Sequence, residues 1–137
     1  MGRRAVKITA DTNLFVRAVV LDDRAQTRAA QAELASAELV ALPLPALCEF
    51  VWVLSRNYKL AQGDIARAIR TLLDADNAAA DRAAVEAGLA MLDDGGDFAD
   101  GIIADAGKWL GAETFVSFDK QAVKLLRARG EAARAPA

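Results

Sequence analysis

Apolar and polar positions alternate along the chain with two different periods, and the changes from one to the other lay out the elements. Val6-Lys7-Ile8-Thr9-Ala10 alternates strictly, which predicts a short strand. Asp11-Thr12-Asn13 ends it, and Leu14-Phe15-Val16 opens a short helix. Asp22-Asp23 can cap a helix over 24–36, rich in alanine, glutamine and arginine. Residues 39–42 form a short apolar strand. Pro43 and Pro45, tolerated in a first helical turn, then introduce a helix from Leu44 or Pro45 to about Tyr58. Ile65, Ile69, Leu72 and Leu73 fall at i, i+4, i+7 and i+8 and mark the inner face of a helix starting at Gly63-Asp64. Residues 77–80 predict a weak strand, and Asp81 caps a helix through Val85, Leu89 and Leu92. After the turn Asp93-Asp94-Gly95-Gly96, a helix runs over 98–110. Residues 114–118 are the clearest strand, with Asp119 at its end and a last helix over 121–129.

Strands alternating with helices predict an α/β fold: a three-layer α/β/α sandwich around a short, mostly parallel central sheet. The 137 residues, 54% of them hydrophobic, suit one domain over 1–130, with small, alanine-rich residues 131–137 as a disordered tail. No stretch approaches the ~20 uninterrupted apolar residues of a membrane span, so no membrane partner is expected. The basic opening Met1-Gly2-Arg3-Arg4 lacks the long apolar region and cleavage site of a secretory signal. Cys48 is the only cysteine, which rules out an intrachain disulfide and suits a reducing cytoplasm. It reads as a small buried apolar residue.

The chain has no histidine. A Ser-His-Asp triad, imidazole acid–base cleavage of RNA and a histidine-bearing zinc site are therefore excluded, and one cysteine cannot build a Cys-rich site. Hydrolysis would fall to carboxylates and a hard metal ion. The net charge of −2 argues mildly against a nucleic-acid partner, although local charge can oppose the total.

Most of the acids read as caps, turns or solvated helix positions. Four do not rest easily there. Glu49 lies in a helix whose neighbours one turn away are Pro45, Ala46, Trp52 and Val53, with no lysine or arginine to pair with. Such a carboxylate faces a desolvation penalty unless it is paired or binds a cation. Asp11 and Asp119 both fall at predicted strand ends, where α/β sheets form ligand sites. Asp97 can cap the helix that follows it, but Asp100 is followed at i+3 and i+4 by Ile103 and Ala104, read as facing inward. Carboxylates brought to one sheet edge would repel, and a Mg²⁺ or Mn²⁺ ion removes that penalty. The ion can also activate water against a phosphodiester.

Asp11-Thr12-Asn13 after the first strand, Glu49 in an apolar helix, Asp97-Phe98-Ala99-Asp100-Gly101-Ile102-Ile103-Ala104, and Phe118-Asp119-Lys120 together resemble the PIN-domain ribonucleases. More closely, they resemble the VapC-type toxins of bacterial toxin–antitoxin pairs. The resemblance spans roughly residues 6 to 128. It implies a Mg²⁺- or Mn²⁺-dependent endoribonuclease with Asp11 and Asp100 as principal metal ligands. Glu49 would help bind a metal or act as base toward water, and Asp119 would complete the cluster. Asn13 and Ser117 would orient ligands or phosphate, and Asp97 would support them. It also implies an RNA substrate, a homodimer and a cognate antitoxin that covers the acidic site with a basic or apolar segment. Arg17, Arg56, Lys59, Lys108 and Lys120 are candidate phosphate contacts, while Trp52 and Trp109 read as core or dimer-interface residues.

Four other readings compete. A phosphatase of the haloacid dehalogenase type would carry a second aspartate where Asn13 stands, and receiver-like phosphoacceptor domains place their aspartate differently. A DNA-directed nuclease could use the same acids. A PIN-fold module that only binds RNA or a protein would be expected to have lost one of the four.

Overall fold

The computed structural model describes residues 6–137; the basic opening Met1-Gly2-Arg3-Arg4, read above for a secretory signal, lies outside the described residues. Among these residues the fold is α/β, with seven helices and short strands that pair only in parallel. No helix is long and apolar enough to cross a membrane. The chain divides into two units, Met1–Asp81 and Arg82–Ala137.

In the first unit, strand β1 (Lys7–Thr9) leads through helices α1 (Thr12–Val19) and α2 (Arg24–Ser36) to β2 (Leu39–Ala41). Helices α3 (Leu44–Arg56) and α4 (Gln62–Asp74) then lead to β3 (Ala78–Ala79). The three strands lie in the order β1-β2-β3, with Ile8 opposite Val40 and Val40 opposite Ala78. Parallel neighbours cannot be joined by a tight turn, so each crossover carries helices. The core is built where α1 meets α3. Phe15 and Phe50 are fully buried and meet edge to face with ring centroids 6.0 Å apart. Leu47, Leu54, Ile65 and Ile69 are also fully buried. Asn77 closes the end of α2: its side-chain amide donates to the Leu34 carbonyl at 2.8 Å and the Ala37 carbonyl at 3.0 Å. Carbonyls at a helix C-terminus lack intrahelical partners, so this contact anchors β3 beside α2.

The second unit contains α5 (Arg82–Asp93), α6 (Phe98–Trp109), β4 (Phe115–Val116), α7 (Lys120–Ala128) and β5 (Ala133–Arg134). Helices α5 and α6 cross at glycines. A Cβ on Gly101 would come within 2.8 Å of the Gly88 Cα, and one on Gly88 within 2.8 Å of the Phe98 ring. Residues 114–118, read as a full strand, pair only at Phe115 and Val116. The segment read as a disordered tail contains β5, which pairs with β4 in parallel. Ala133 is buried in a cluster with Met91, Ala122, Val123 and Leu126, and its carbonyl accepts from Arg127 Nε at 2.7 Å. A buried methyl group and the bonds from Phe115 N–H to the Ala132 carbonyl and from Ser117 N–H to the Arg134 carbonyl order a segment that has no hydrophobic period of its own.

Candidate active site

Helix capping fixes the position of three of the carboxylates. Asp11 precedes α1 with extended backbone, and its Oδ1 accepts from Leu14 N–H at 3.0 Å. Asp97 accepts from Ala99 N–H at 3.4 Å at the start of α6. Asp119 accepts from Ala122 N–H at 3.1 Å at the start of α7. The first helical N–H groups have no partner inside the helix, and a short acidic side chain satisfies one of them. These bonds use only Oδ1 of each residue.

Asp11, Asn13 and Glu49 belong to the first unit. Thr12 Oγ1 donates to the Ala46 carbonyl at 3.4 Å, which ties the residue after Asp11 to the first turn of α3, three residues before Glu49. Asn13 is exposed. Glu49 is also exposed, which corrects its reading as a carboxylate trapped among apolar side chains. Successive helical residues point about 100° apart, so apolar neighbours in sequence need not be neighbours in space. Leu47, Phe50, Val51 and Leu54 take the buried face of α3, while Glu49 shares the outer face with Trp52, itself 57% exposed. The core reading of Trp52 falls with it, as does that of Trp109, 77% exposed. Cys48 is half-buried rather than buried.

Asp97, Asp100, Ser117 and Asp119 belong to the second unit. Asp100 lies half-buried in the first turn of α6, and Ile103, read above as facing inward, is 58% exposed. Burial, and then the negative charges of Asp97 and Asp119, push the Asp100 carboxyl above its usual range. Two acids from the starts of α6 and α7 thus act on the Asp100 carboxyl. Ser117 Oγ accepts from Asp119 N–H at 2.9 Å, so the serine shapes the loop that presents Asp119.

Among the described residues, no three of His, Cys, Asp and Glu stand close enough to form a ready-made metal cage. The donor set still fits Mg²⁺ or Mn²⁺. In the second unit, Asp97, Asp100 and Asp119 are hard oxygen donors, with Asp97 and Asp119 acting unfavourably on Asp100, and Mg²⁺ typically takes one or two carboxylates, keeps several waters and completes its shell with substrate phosphate.

Of the candidate phosphate contacts, two are already engaged. Arg17 donates to Asp22 at 2.7 Å and to the Tyr58 hydroxyl at 2.6 Å, and Lys108 pairs with Glu131. Arg56, Lys59 and Lys120 are exposed. Two residues were given no role of their own in the sequence. Asp105 on α6 has a buried Oδ2 with no hydrogen-bond partner among the described residues. Phe118, read as part of a strand, is 87% exposed beside Asp119.

No curated protein sequence matches the chain. The PIN-domain family model matches residues 8–128, which contain every candidate residue from Asp11 to Asp119. The chain therefore belongs to the PIN-domain family, whose members are generally nucleases.

Proposed function

We infer that this protein is a Mg²⁺- or Mn²⁺-dependent endoribonuclease and the toxin of a cytoplasmic toxin–antitoxin pair. The single observation that carries the nuclease reading is the PIN-domain family match over residues 8–128, within which Asp11, Glu49, Asp100 and Asp119 all fall. A half-buried carboxylate facing two other acids is an unfavourable arrangement that a cation relieves. Asp11 and Asp100 would hold the ion, with Glu49 assisting or accepting a proton from the attacking water, and Asp119 completing the acidic set. The support for these roles is the order of the four motifs in a family of nucleases. When bound, the metal supplies Lewis acidity that lowers the pKa of water and neutralises charge on the phosphoryl oxygens. The helix caps of Asp11, Asp97 and Asp119 hold these carboxylates in place before substrate arrives, which is the preorganisation such chemistry needs. Asn13, Ser117 and Asp97 take supporting positions.

The toxin role, the homodimer and the cognate antitoxin rest on the closer resemblance to VapC-type toxins. A small antitoxin-like reading frame immediately upstream of the gene would support them.

Purified protein incubated with labelled transfer RNA and messenger RNA should produce discrete fragments with Mg²⁺ or Mn²⁺ and none with EDTA. Intact RNA under every metal condition would contradict the reading. A second reading, a PIN-fold module that binds RNA or protein without cleaving, is favoured by one observation. Capping alone gives Asp11, Asp97 and Asp119 a structural role that a non-catalytic member would keep. Binding of RNA without fragments in the same experiment would select it.

A further inference from the structure

Phe118 stands apart from the other phenylalanines of the chain. Phe15, Phe50 and Phe98 are fully buried and Phe115 is half-buried, whereas Phe118 is 87% exposed. A large apolar ring left in water forgoes a burial gain that its neighbours realise. It is also held firmly. On one side Ser117 N–H donates to the Arg134 carbonyl at 3.1 Å, and on the other Asp119 N–H donates to Ser117 Oγ at 2.9 Å. Asp119 then caps α7 through Ala122 N–H. The ring therefore projects from a backbone pinned before and after it.

The residues around it have complementary chemistry. Asp119 follows directly and acts electrostatically on Asp100, and Lys120 follows with an exposed ammonium group. An aromatic plane, a cation and a member of the acidic cluster thus occupy three consecutive positions. Single-stranded nucleic acid is recognised by that combination: bases stack on aromatic rings while cations meet the phosphates.

We propose that Phe118 is the stacking platform for a base flanking the phosphate cut at the acidic cluster, so that the base next to the cut is read by stacking. This rests on the nuclease reading above. In a duplex the bases already stack on one another and offer no free face to Phe118. Stacking strength rather than hydrogen-bond pattern sets the preference, which favours adenine over uracil at the flanking position and leaves the sequence otherwise loosely specified.

The test uses the full chain with Asp100→Asn to suppress cleavage, Mg²⁺ present, and fluorescein-labelled 12-nucleotide probes: oligo(A), oligo(U) and an abasic ribose-phosphate chain of equal length. Phe118→Ala should weaken oligo(A) binding by about 5- to 150-fold and the abasic chain hardly at all, with Phe118→Trp restoring affinity. With Asp100 intact, Phe118→Ala should raise KM for oligo(A) cleavage and leave kcat nearly unchanged. Equal loss on the base-bearing and abasic chains, or unchanged oligo(A) affinity, would overturn the proposal. So would a Phe118→Ala variant that binds RNA normally but sediments as a smaller species, which would assign the ring to a protein contact. Wild-type protein that binds oligo(A) through Phe118 but cleaves no RNA would instead sink the nuclease reading and leave the stacking platform standing.

Discussion

An aspartate at a helix N-cap satisfies one backbone N–H with one oxygen and has a second oxygen and a full charge to offer beyond the helix. Asp119 lets the two roles be separated by substitution. Asparagine caps about as well as aspartate but carries no charge, whereas alanine does neither. Asp119→Asn should therefore lose most cleavage activity while keeping the melting temperature of the parent. Asp119→Ala should lose activity and about 0.5–2 kcal/mol of stability as well. Parallel thermal melts and cleavage rates check this, and full activity in Asp119→Asn would remove Asp119 from the chemistry. Asp100 behaves in the opposite sense. Its carboxyl in the folded protein sits above the ordinary value of 3.8, first through burial and then through Asp97 and Asp119. The folded state thus holds that proton more tightly than the unfolded chain does. The associated stability is complete below the unfolded value and is lost as pH rises through the folded one. At neutral pH the ionised Asp100 is a burden on the fold. Asp100→Asn, melted in EDTA at pH 7, should be at least as stable as the parent. Any advantage should shrink as the pH falls toward 3.8 and below. A clear loss of stability at pH 7 would show that Asp100 is structural.

At the level of elements, the position of Asp100 depends on how closely α5 and α6 cross. Gly101, the next residue, has no room for a methyl group against Ala87 and Gly88. Gly101→Ala should shift the helices apart, at a cost of roughly 1–3 kcal/mol, and lower cleavage by displacing Asp100. Denaturant unfolding measures the first effect and a rate assay the second; unchanged stability would mean the crossing is looser than it looks. The helices themselves were largely legible. Helix α2 spans the expected residues because Asp23 signals its start, accepting from Gln26 N–H at 3.1 Å, and an alanine-rich run sustains it. The buried stripe of α4 follows from Ile65, Ile69 and Leu73 at helical spacing. Three features were not legible, each for a physical reason. Strand β5 depends on pairing with Phe115 and Val116 almost twenty positions earlier, and alanines carry no period to announce it. The β-prone run over 114–118 makes its last backbone bond to β5 from Ser117 N–H, and the Ser117 side chain then takes up the Asp119 N–H and turns the chain. Glu49 was judged by its sequence neighbours, whereas exposure on a helix depends on the face, which only packing decides.

For the whole molecule, the proposed activity on RNA and the net charge of −2 set the same requirement. An acidic chain that acts on a polyanion must recruit positive charge to its site, and a divalent cation held by carboxylates supplies it. The order and spacing of the four acids, all within residues 8–128, were legible because they carry the family resemblance. Their environments were not, since capping, burial and exposure arise from contacts rather than from spacing. RNA cleavage as proposed depends jointly on a divalent metal and on the carboxylates of Asp11 and Asp100. The most direct measurement is the cleavage rate of labelled RNA by the parent, Asp11→Asn and Asp100→Asn, each shown by circular dichroism to be folded, with Mg²⁺, with Mn²⁺ and with EDTA. The expected result is metal-dependent cleavage by the parent and none above background by either folded variant. Full metal-dependent activity in both variants would contradict the account.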